Sequence, residues 1–536
     1  MQDIKDFDAL TDEINRRMAV TNRIKYFNDP AGYIEDVLGE TLTDDLRAIC
    51  ESVVKYSVTI AQSGNGTGKS FIESRLALWF FDCRAEPQVF AAAAPPQANL
   101  ENILWAELET ACDAHPYITS DCDRKNLKIT RKPKEFIAGV SIPTQGTDKE
   151  KEARFGGKHA PSMLFLVDEG DAVPDPVYHG IETCLSGGFE KLLITFNPRQ
   201  RMGWVYRAIK DGRANVVKLS AFSHPNVITG EEVIPGAVNR EKTLRRIAQW
   251  TRTVADGEVP DKQCFKLPDF LVGCVPHDQK GQPYPPLKAG WYKIIEHQFS
   301  HVVLGEYPAQ AANQLISEEW IDLARSRYDM FVAKHGVLVP EHTQCSAGLD
   351  IADQGGDSSV LVKRFGNFVH PLVAWNKQNV IEVGDSVYEN LINSGIKNIS
   401  AIYCDGTGVG AGTAPYMAKQ YSLPAVKVMV ANSPIESAED GGSFGLLVDD
   451  LMWRVREWLR TDLAMLPPDP DLIEELLAFT YRTIKGKVKV SSANSRSGSE
   501  DVMKSIRELL QRSPDRARAL MLSFMTSGFF TDSDLS

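Results

Sequence analysis

The chain has 536 residues and a formal net charge of −12. That length supports about two or three domains, each with its own core, and 43% hydrophobic with 24% charged residues is ordinary globular composition. The acidic balance excludes bulk charge as a reason to bind nucleic acid, and no apolar run reaches the ~18 residues of a membrane helix.

Basic residues gather locally in the run Arg124, Lys125, Lys128, Arg131, Lys132, Lys134 and in the cluster Arg240, Lys242, Arg245, Arg246. Taken alone, each reads first as a solvated face. Nine cysteines with no Cys-x-x-Cys pair suggest neither a disulfide framework nor a zinc site, and fit a reducing, cytoplasmic setting. Residues 1–23 are charged and carry no apolar h-region, so no signal peptide is expected.

In chain order, residues 1–50 read as a polar helical segment broken at Pro30-Ala31-Gly32. A β-type run over 55–61 leads into a glycine-rich turn and a helix over about 70–81. Apolar runs at 88–94, 163–167 and 191–196, with a helical stretch at 97–112, predict a mostly parallel sheet covered on both faces within residues 51–260. Residues 261–340 lose periodicity and gain Pro and Gly, as a connecting region does. A second α/β pattern fills 341–536. It has strands at 346–351 and 358–365 joined at Gly355-Gly356, a third from Phe368, a helix at 380–391 and a strand at 399–404 ending in Asp405. Further helices are expected at 446–459 and 500–511.

Ser63-Gly64-Asn65-Gly66-Thr67-Gly68-Lys69-Ser70 follows a strand and opens a helix, the context a phosphate-binding loop requires. Backbone N–H groups of such a loop and the helix N-terminus present partial positive charge to phosphates. Lys69 would neutralise β- and γ-phosphates, and the Ser70 hydroxyl would hold Mg²⁺ beside ATP. Only the first glycine of G-x-x-x-x-G-K-S is replaced, by Ser63. Leu166-Val167-Asp168-Glu169 ends an apolar strand with two acids, Asp168 to support the Mg²⁺ site and Glu169 to polarise the attacking water. The next strand ends in Asn197-Pro198, where Asn197 either senses the γ-phosphate or caps the strand. Arg154 reads either as an arginine finger or as a surface arginine in a loop.

In the second half, Gly348-Leu349-Asp350 puts a carboxylate inside an apolar strand, which is costly unless the charge is paired or metal-bound. Asp405 ends another strand, and Ser513-Pro514-Asp515 opens a final helix. Together they could converge on two Mg²⁺ or Mn²⁺ ions for phosphodiester hydrolysis. Each also has a plain structural reading: a buried acid, a turn residue and a helix N-cap.

In this order and spacing, the motifs resemble the large terminase subunits of tailed double-stranded DNA viruses. The resemblance also takes in Gly305-Glu306-Tyr307-Pro308, Asp405-Gly406-Thr407-Gly408-Val409-Gly410 and Gly486-Lys487-Val488. It implies a P-loop NTPase domain that packages DNA, followed by an RNase H-like α/β nuclease domain. Asp350, Asp405 and an acid near 515 would be its catalytic metal ligands, and Asn197 would couple hydrolysis to movement. It further implies double-stranded DNA, the portal protein of a procapsid and a small terminase subunit as partners. It implies a homo-oligomeric ring when docked, with a monomer in solution allowed, and action in the host cytoplasm and transiently at the portal. Two departures stand out. Arg518 replaces the second acid of the family's last motif, leaving open which acid completes the metal site, and Asn65 stands where some members carry a loop arginine. Two rival readings are a helicase-like translocase with a degenerate nuclease domain, and a nucleotide-gated scaffold without turnover.

Overall fold

The computed structural model describes residues 24–525, except 144–146, 256, 310–313, 338–342, 353–357, 377–378, 407–409, 435–442, 462, 492–505 and 511. The chain divides into two compact units, Met1–Ala309 and Gln310–Ser536.

The first unit is built on an eight-stranded sheet in the order β3-β4-β5-β2-β6-β7-β1-β8. Its strands are β1 (Val58–Ser63), β2 (Pro87–Ala93), β3 (Asp123–Lys125), β4 (Lys128–Lys132), β5 (Glu135–Gly139), β6 (Ser162–Asp168), β7 (Phe189–Phe196) and β8 (Asn215–Leu219). From β5 to β8 every pairing is parallel, and β3 and β4 add an antiparallel edge. Both faces are buried because both alternating side-chain sets are apolar. Leu164 and Leu166 of β6 pack into one cluster with Leu193, Ile49 and Trp79, whereas Met163, Phe165 and Val167 pack into the other with Ile194, Tyr178 and Trp204. The first cluster also holds α1 (Lys69–Cys83), which is buried from Ile72 to Cys83, and the expected N-terminal segment from Tyr26 to Val53.

The stretch expected to connect two domains is divided instead. Residues 261–309 fall in the first unit, where β9 (Thr251–Thr253), β10 (Cys264–Lys266) and β11 (Trp291–Ile294) form a small antiparallel sheet. Phe265, Leu271, Tyr292 and Phe299 give it a core with Ala221 and Val303. Apolar residues spaced irregularly among prolines can still close a core, and periodicity does not register them.

The second unit is built on the sheet β14-β13-β12-β16-β17, with β15 also pairing β13. These are β12 (Cys345–Asp350), β13 (Ser359–Phe365), β14 (Phe368–Val369), β15 (Val373–Trp375), β16 (Ile399–Asp405) and β17 (Ala425–Val428). The meander β12-β13-β14 is antiparallel and β16 and β17 run parallel to β12, which is the RNase H-like arrangement. The expected strands are present, while the turn at 355–356 lies outside the described residues. Helices α2 (Pro470–Ala478) and α3 (Asp515–Leu522) complete the part that matters for the site.

Helix α3 reaches β12 because Gly348 has no side chain. A Cβ there would stand 1.9 Å from the Ala519 carbonyl oxygen and 2.8 Å from the Ser523 nitrogen, both backbone atoms. Gly348→Ala should therefore push α3 off the strand and destabilise the protein by about 1–3 kcal/mol, the usual cost of overpacking. Denaturant unfolding checks this; unchanged stability would mean that α3 does not pack as described.

Candidate functional sites

The phosphate loop joins β1 to α1. Gly66 and Gly68 adopt φ of 72° and 100°, values that favour glycine. Ser63 is fully buried; its hydroxyl lies 2.7 Å from the Thr67 hydroxyl and donates to the Gly64 carbonyl, so serine closes the loop where the usual pattern has glycine. The loop is pinned from outside as well. Gly64 N donates to the Leu219 carbonyl (2.7 Å) and Asn65 N to that of Val302 (2.9 Å), while the Gly66 carbonyl accepts from Val238 N (2.8 Å). Gly305 lies so close that a Cβ would meet the Leu219 oxygen at 2.4 Å, and its carbonyl accepts from Gln62 Nε2. The Gly305-Glu306-Tyr307-Pro308 motif is thus a buttress of this loop.

The ends of β6 and β7 converge on Lys69. Its ammonium donates to Glu169 Oε1 at 2.7 Å and to Asn197 Oδ1 at 2.6 Å. Asn197 Nδ2 donates back to the Ser63 carbonyl at 2.6 Å, tying the end of β7 to the loop. Glu169 has φ of 49°, the left-handed region, and its N–H donates to Asp168 Oδ1. Such backbone costs of order 1–3 kcal/mol and concentrates at functional sites. It turns the carboxylate from the end of β6 toward Lys69, and Arg199 Nη2 lies 3.6 Å from Glu169 Oε2.

Behind this front lies a proton-sharing network. The Thr195 hydroxyl lies 3.0 Å from both Asp168 Oδ1 and Glu73 Oε1. One hydroxyl proton cannot serve two carboxylates, so one acid must itself be protonated. Glu73 is fully buried, and burial together with the Asp168 charge pushes its carboxyl well above the ordinary range. Glu73 is therefore the protonated member, leaving Asp168 to accept. Burial also raises Asp168, with Lys69 opposing. Asp171, raised to about 7 by burial and the Glu169 charge, adds a second acid behind the water-polarising candidate. In the sequence Arg199 is marked only by its place after Asn197-Pro198, and Glu73 only as an acid in a largely apolar helix. Ser70 lies in the first turn of α1. Arg154 is exposed on the helix Asp148–Phe155 and makes no hydrogen bond or ion pair to the loop among the described residues.

In the second unit Asp350 and Asp405 end the neighbouring parallel strands β12 and β16, and each is 3% exposed. The cation between them is Arg518. Its Nη2 donates to Asp405 Oδ2 and lies 3.6 Å from Asp350 Oδ1. Asp515, the first residue of α3, instead accepts from Ser358 N at 3.0 Å and is not the N-cap, which is Pro514. Among the described residues no group of three or more His, Cys, Asp or Glu could hold a metal ion. Where a triad of acids was expected, the described contacts at the strand ends are a pair of carboxylates with Arg518, one helical turn after Asp515, while Asp515 bonds the Ser358 amide. Asp353, Asp357 and residues 407–409 lie outside the described residues.

Helix α3 is held by α2. Fully buried Glu475 accepts from Ala517 N at 2.7 Å and pairs with Arg512, while Arg516 pairs with Asp469 and Asp471. The first basic run of the sequence is largely paired with acids, and one member of the second cluster is. Arg124, Lys125, Arg131 and Lys132 pair with Asp113, Asp123, Asp121 and Glu135, and Arg245 pairs with Glu241. Among the described residues no helix is long and apolar enough to cross a membrane.

Fold and sites define the class: a P-loop NTPase unit followed by an RNase H-like unit in one chain. No family model matches the chain. A curated relative, a probable terminase large subunit of Enterobacteria phage P7, is 28% identical over 182 residues, covering 32% of this chain. The chain spans 35% of that relative's length. Among solved structures, the large terminase of bacteriophage HK97 is 11% identical, covers 90% of this chain and 95% of its own, and has a TM-score of 0.40. The large terminase of the thermophilic bacteriophage D6E in complex with ADP is 12% identical over 91% of this chain and 100% of its own, with a TM-score of 0.32. A nuclease domain of the terminase large subunit of bacterial virus Sf6, solved with manganese, is 17% identical over 40% of this chain and 99% of its own, also at 0.32. The chain is similar to phage terminase large subunits.

Burial raises the Glu475 carboxyl to about 7 despite the Arg512 pair. A native carboxyl raised above its unfolded value favours the protonated state, so its contribution is full below about pH 4.5 and is lost as pH rises through 7. The wild type should lose stability between pH 5 and 8, and Glu475→Gln should flatten that slope. Melting temperatures of both proteins across this range check it; parallel slopes would contradict it.

Proposed function

We propose that this chain is a viral DNA-packaging motor. Its first unit hydrolyses ATP to drive double-stranded DNA into a procapsid, and its second is an endonuclease that cuts concatemeric DNA. The observation that carries the reading is the Lys69–Glu169–Asn197 convergence at a strand–loop–helix, in a chain whose other sheet gathers two buried aspartates at adjacent strand ends.

In the first unit the residues suit ATP. Lys69, now bonded to Glu169 and Asn197, is the group to meet the β- and γ-phosphates, and the loop amides bind the rest of the triphosphate. Once Lys69 turns to phosphate, Glu169 is released to orient a water and take its proton. Asn197 is then placed to register the loss of the γ-phosphate and pass it along β7, because it bonds both Lys69 and the loop. Ser70 and Asp168 would hold Mg²⁺, which when bound offsets phosphate charge. Arg199 is a candidate for the charge-stabilising arginine within this chain, a role its position beside Glu169 supports better than the exposed position of Arg154.

In the second unit, Asp350 and Asp405 would hold the divalent cation, Mg²⁺ or Mn²⁺, whose chemistry is to activate water toward the phosphodiester. The two carboxylates suit a single cation position, since they already share one cationic side chain. Double-stranded DNA, the portal protein and a small terminase subunit are the proposed partners, with a ring of copies at the portal in the host cytoplasm. Arg518 also favours a second reading, a translocase with an inactive nuclease unit.

DNA-stimulated ATP hydrolysis by the full chain tests the motor. Glu169→Gln should lower kcat by about 10²–10⁴-fold, the usual contribution of a general base, while nucleotide still binds. Equal rates for mutant and wild type would remove Glu169 from the chemistry. Plasmid cleavage with Mn²⁺ that vanishes in Asp350→Asn would separate the nuclease from the inactive-unit reading, which expects no cleavage by either protein.

A further inference from the structure

We infer that Arg518 is a resident cation of the nuclease centre, which competes with divalent metal for Asp350 and Asp405. The inference rests on the nuclease reading and concerns the regulation of that site. Both aspartates are almost wholly buried at the ends of adjacent parallel strands, where two negative charges so close together require a positive partner. A single guanidinium nitrogen of Arg518 meets both carboxylates. It does so from the second turn of α3, a helix seated by the absence of a Gly348 side chain and by Glu475 at its N-terminal turn.

That seating fixes where the Arg518 backbone stands, while a long arginine side chain can exchange one partner for another without moving the helix. Arg518 is 27% exposed at its side chain, whereas the aspartates are 4% exposed at theirs, so the guanidinium has an outward path that the acids lack. The apo centre therefore already holds a positive partner without metal. A divalent cation gains the site only when Arg518 swings outward, and the apparent affinity for metal falls by the fraction of molecules in which the arginine is out. Negatively charged DNA phosphate is the partner that would hold the displaced guanidinium, by bidentate hydrogen bonding. Metal loading and DNA engagement would then be coupled, and cutting would be withheld from a centre without DNA in place.

Mn²⁺ binding to the full chain, without nucleotide or DNA, tests this by the loss of the free-ion signal in electron paramagnetic resonance. Wild type, Arg518→Ala, Arg518→Gln and Arg518→Lys are compared, each also carrying Asp168→Asn to silence the first unit. Melting curves without metal show which variants are folded, and Gln and Lys preserve side-chain bulk where Ala does not. Ala and Gln are expected to bind Mn²⁺ at least about tenfold more tightly than wild type, with Lys between, as for an arginine resident in about nine molecules of ten. That tight binding should disappear when Asp350→Asn is added. Equal affinities in wild type and variants, still abolished by Asp350→Asn, would overturn the competition and leave the nuclease reading standing. No Asp350-dependent Mn²⁺ binding in any variant would overturn both.

Discussion

In both halves of this chain an acid at or just past the carboxyl end of a buried parallel strand is met by a cation from another element. Leaving a buried charge such as that of Asp350 or Asp405 without its partner costs about 3–5 kcal/mol, a large share of a domain's net stability. In the first unit Lys69 serves Glu169, and in the second Arg518 serves Asp405 and Asp350. In each case the cation comes from a helix or loop outside the strand that carries the acid. On the proposed function, protein side chains in the resting centres stand where phosphate or metal would act, and a ligand would exchange partners rather than fill empty space.

The scaffolds make that exchange local. The phosphate loop is bonded to the end of β8, to Val238 and to the Val302–Gly305 segment, so the loop keeps its shape whichever partner Lys69 has. The Thr195 hydroxyl, itself bonded to protonated Glu73, holds Asp168 from behind by a hydrogen bond buried away from solvent. In the second unit the contact of α3 with β12 and its bonds to α2 play the same part for Asp350 and Arg518.

What could be read from the sequence followed from how local each signal is. The strand–loop–helix at 58–83 and the acids at 168–169 are contiguous, and their chemistry follows from residue type and order. The two α/β sheets were legible because buried strands are short apolar runs. The role of 261–309 was not, because its core is closed by residues far apart in sequence. Gly305 was visible as part of a motif, but its reason, contact with Leu219 and Gly64, exists only in three dimensions. Arg199 and Glu73 were missed since each acts through a neighbour contributed by another strand. Arg518 was conspicuous as a departure, and only the geometry shows that it sits on Asp350 and Asp405 while Asp515 bonds Ser358.

The most direct test of two phosphate-handling centres on one chain is a crystal structure grown with a non-hydrolysable ATP analogue and Mn²⁺. Anomalous scattering would locate the metal. One peak is expected beside Ser70 and Asp168 with Lys69 turned onto the phosphates, and a second between Asp350 and Asp405 wherever Arg518 has swung away. A density map with the analogue elsewhere, or with both aspartates still closed on Arg518 at saturating Mn²⁺, would contradict it.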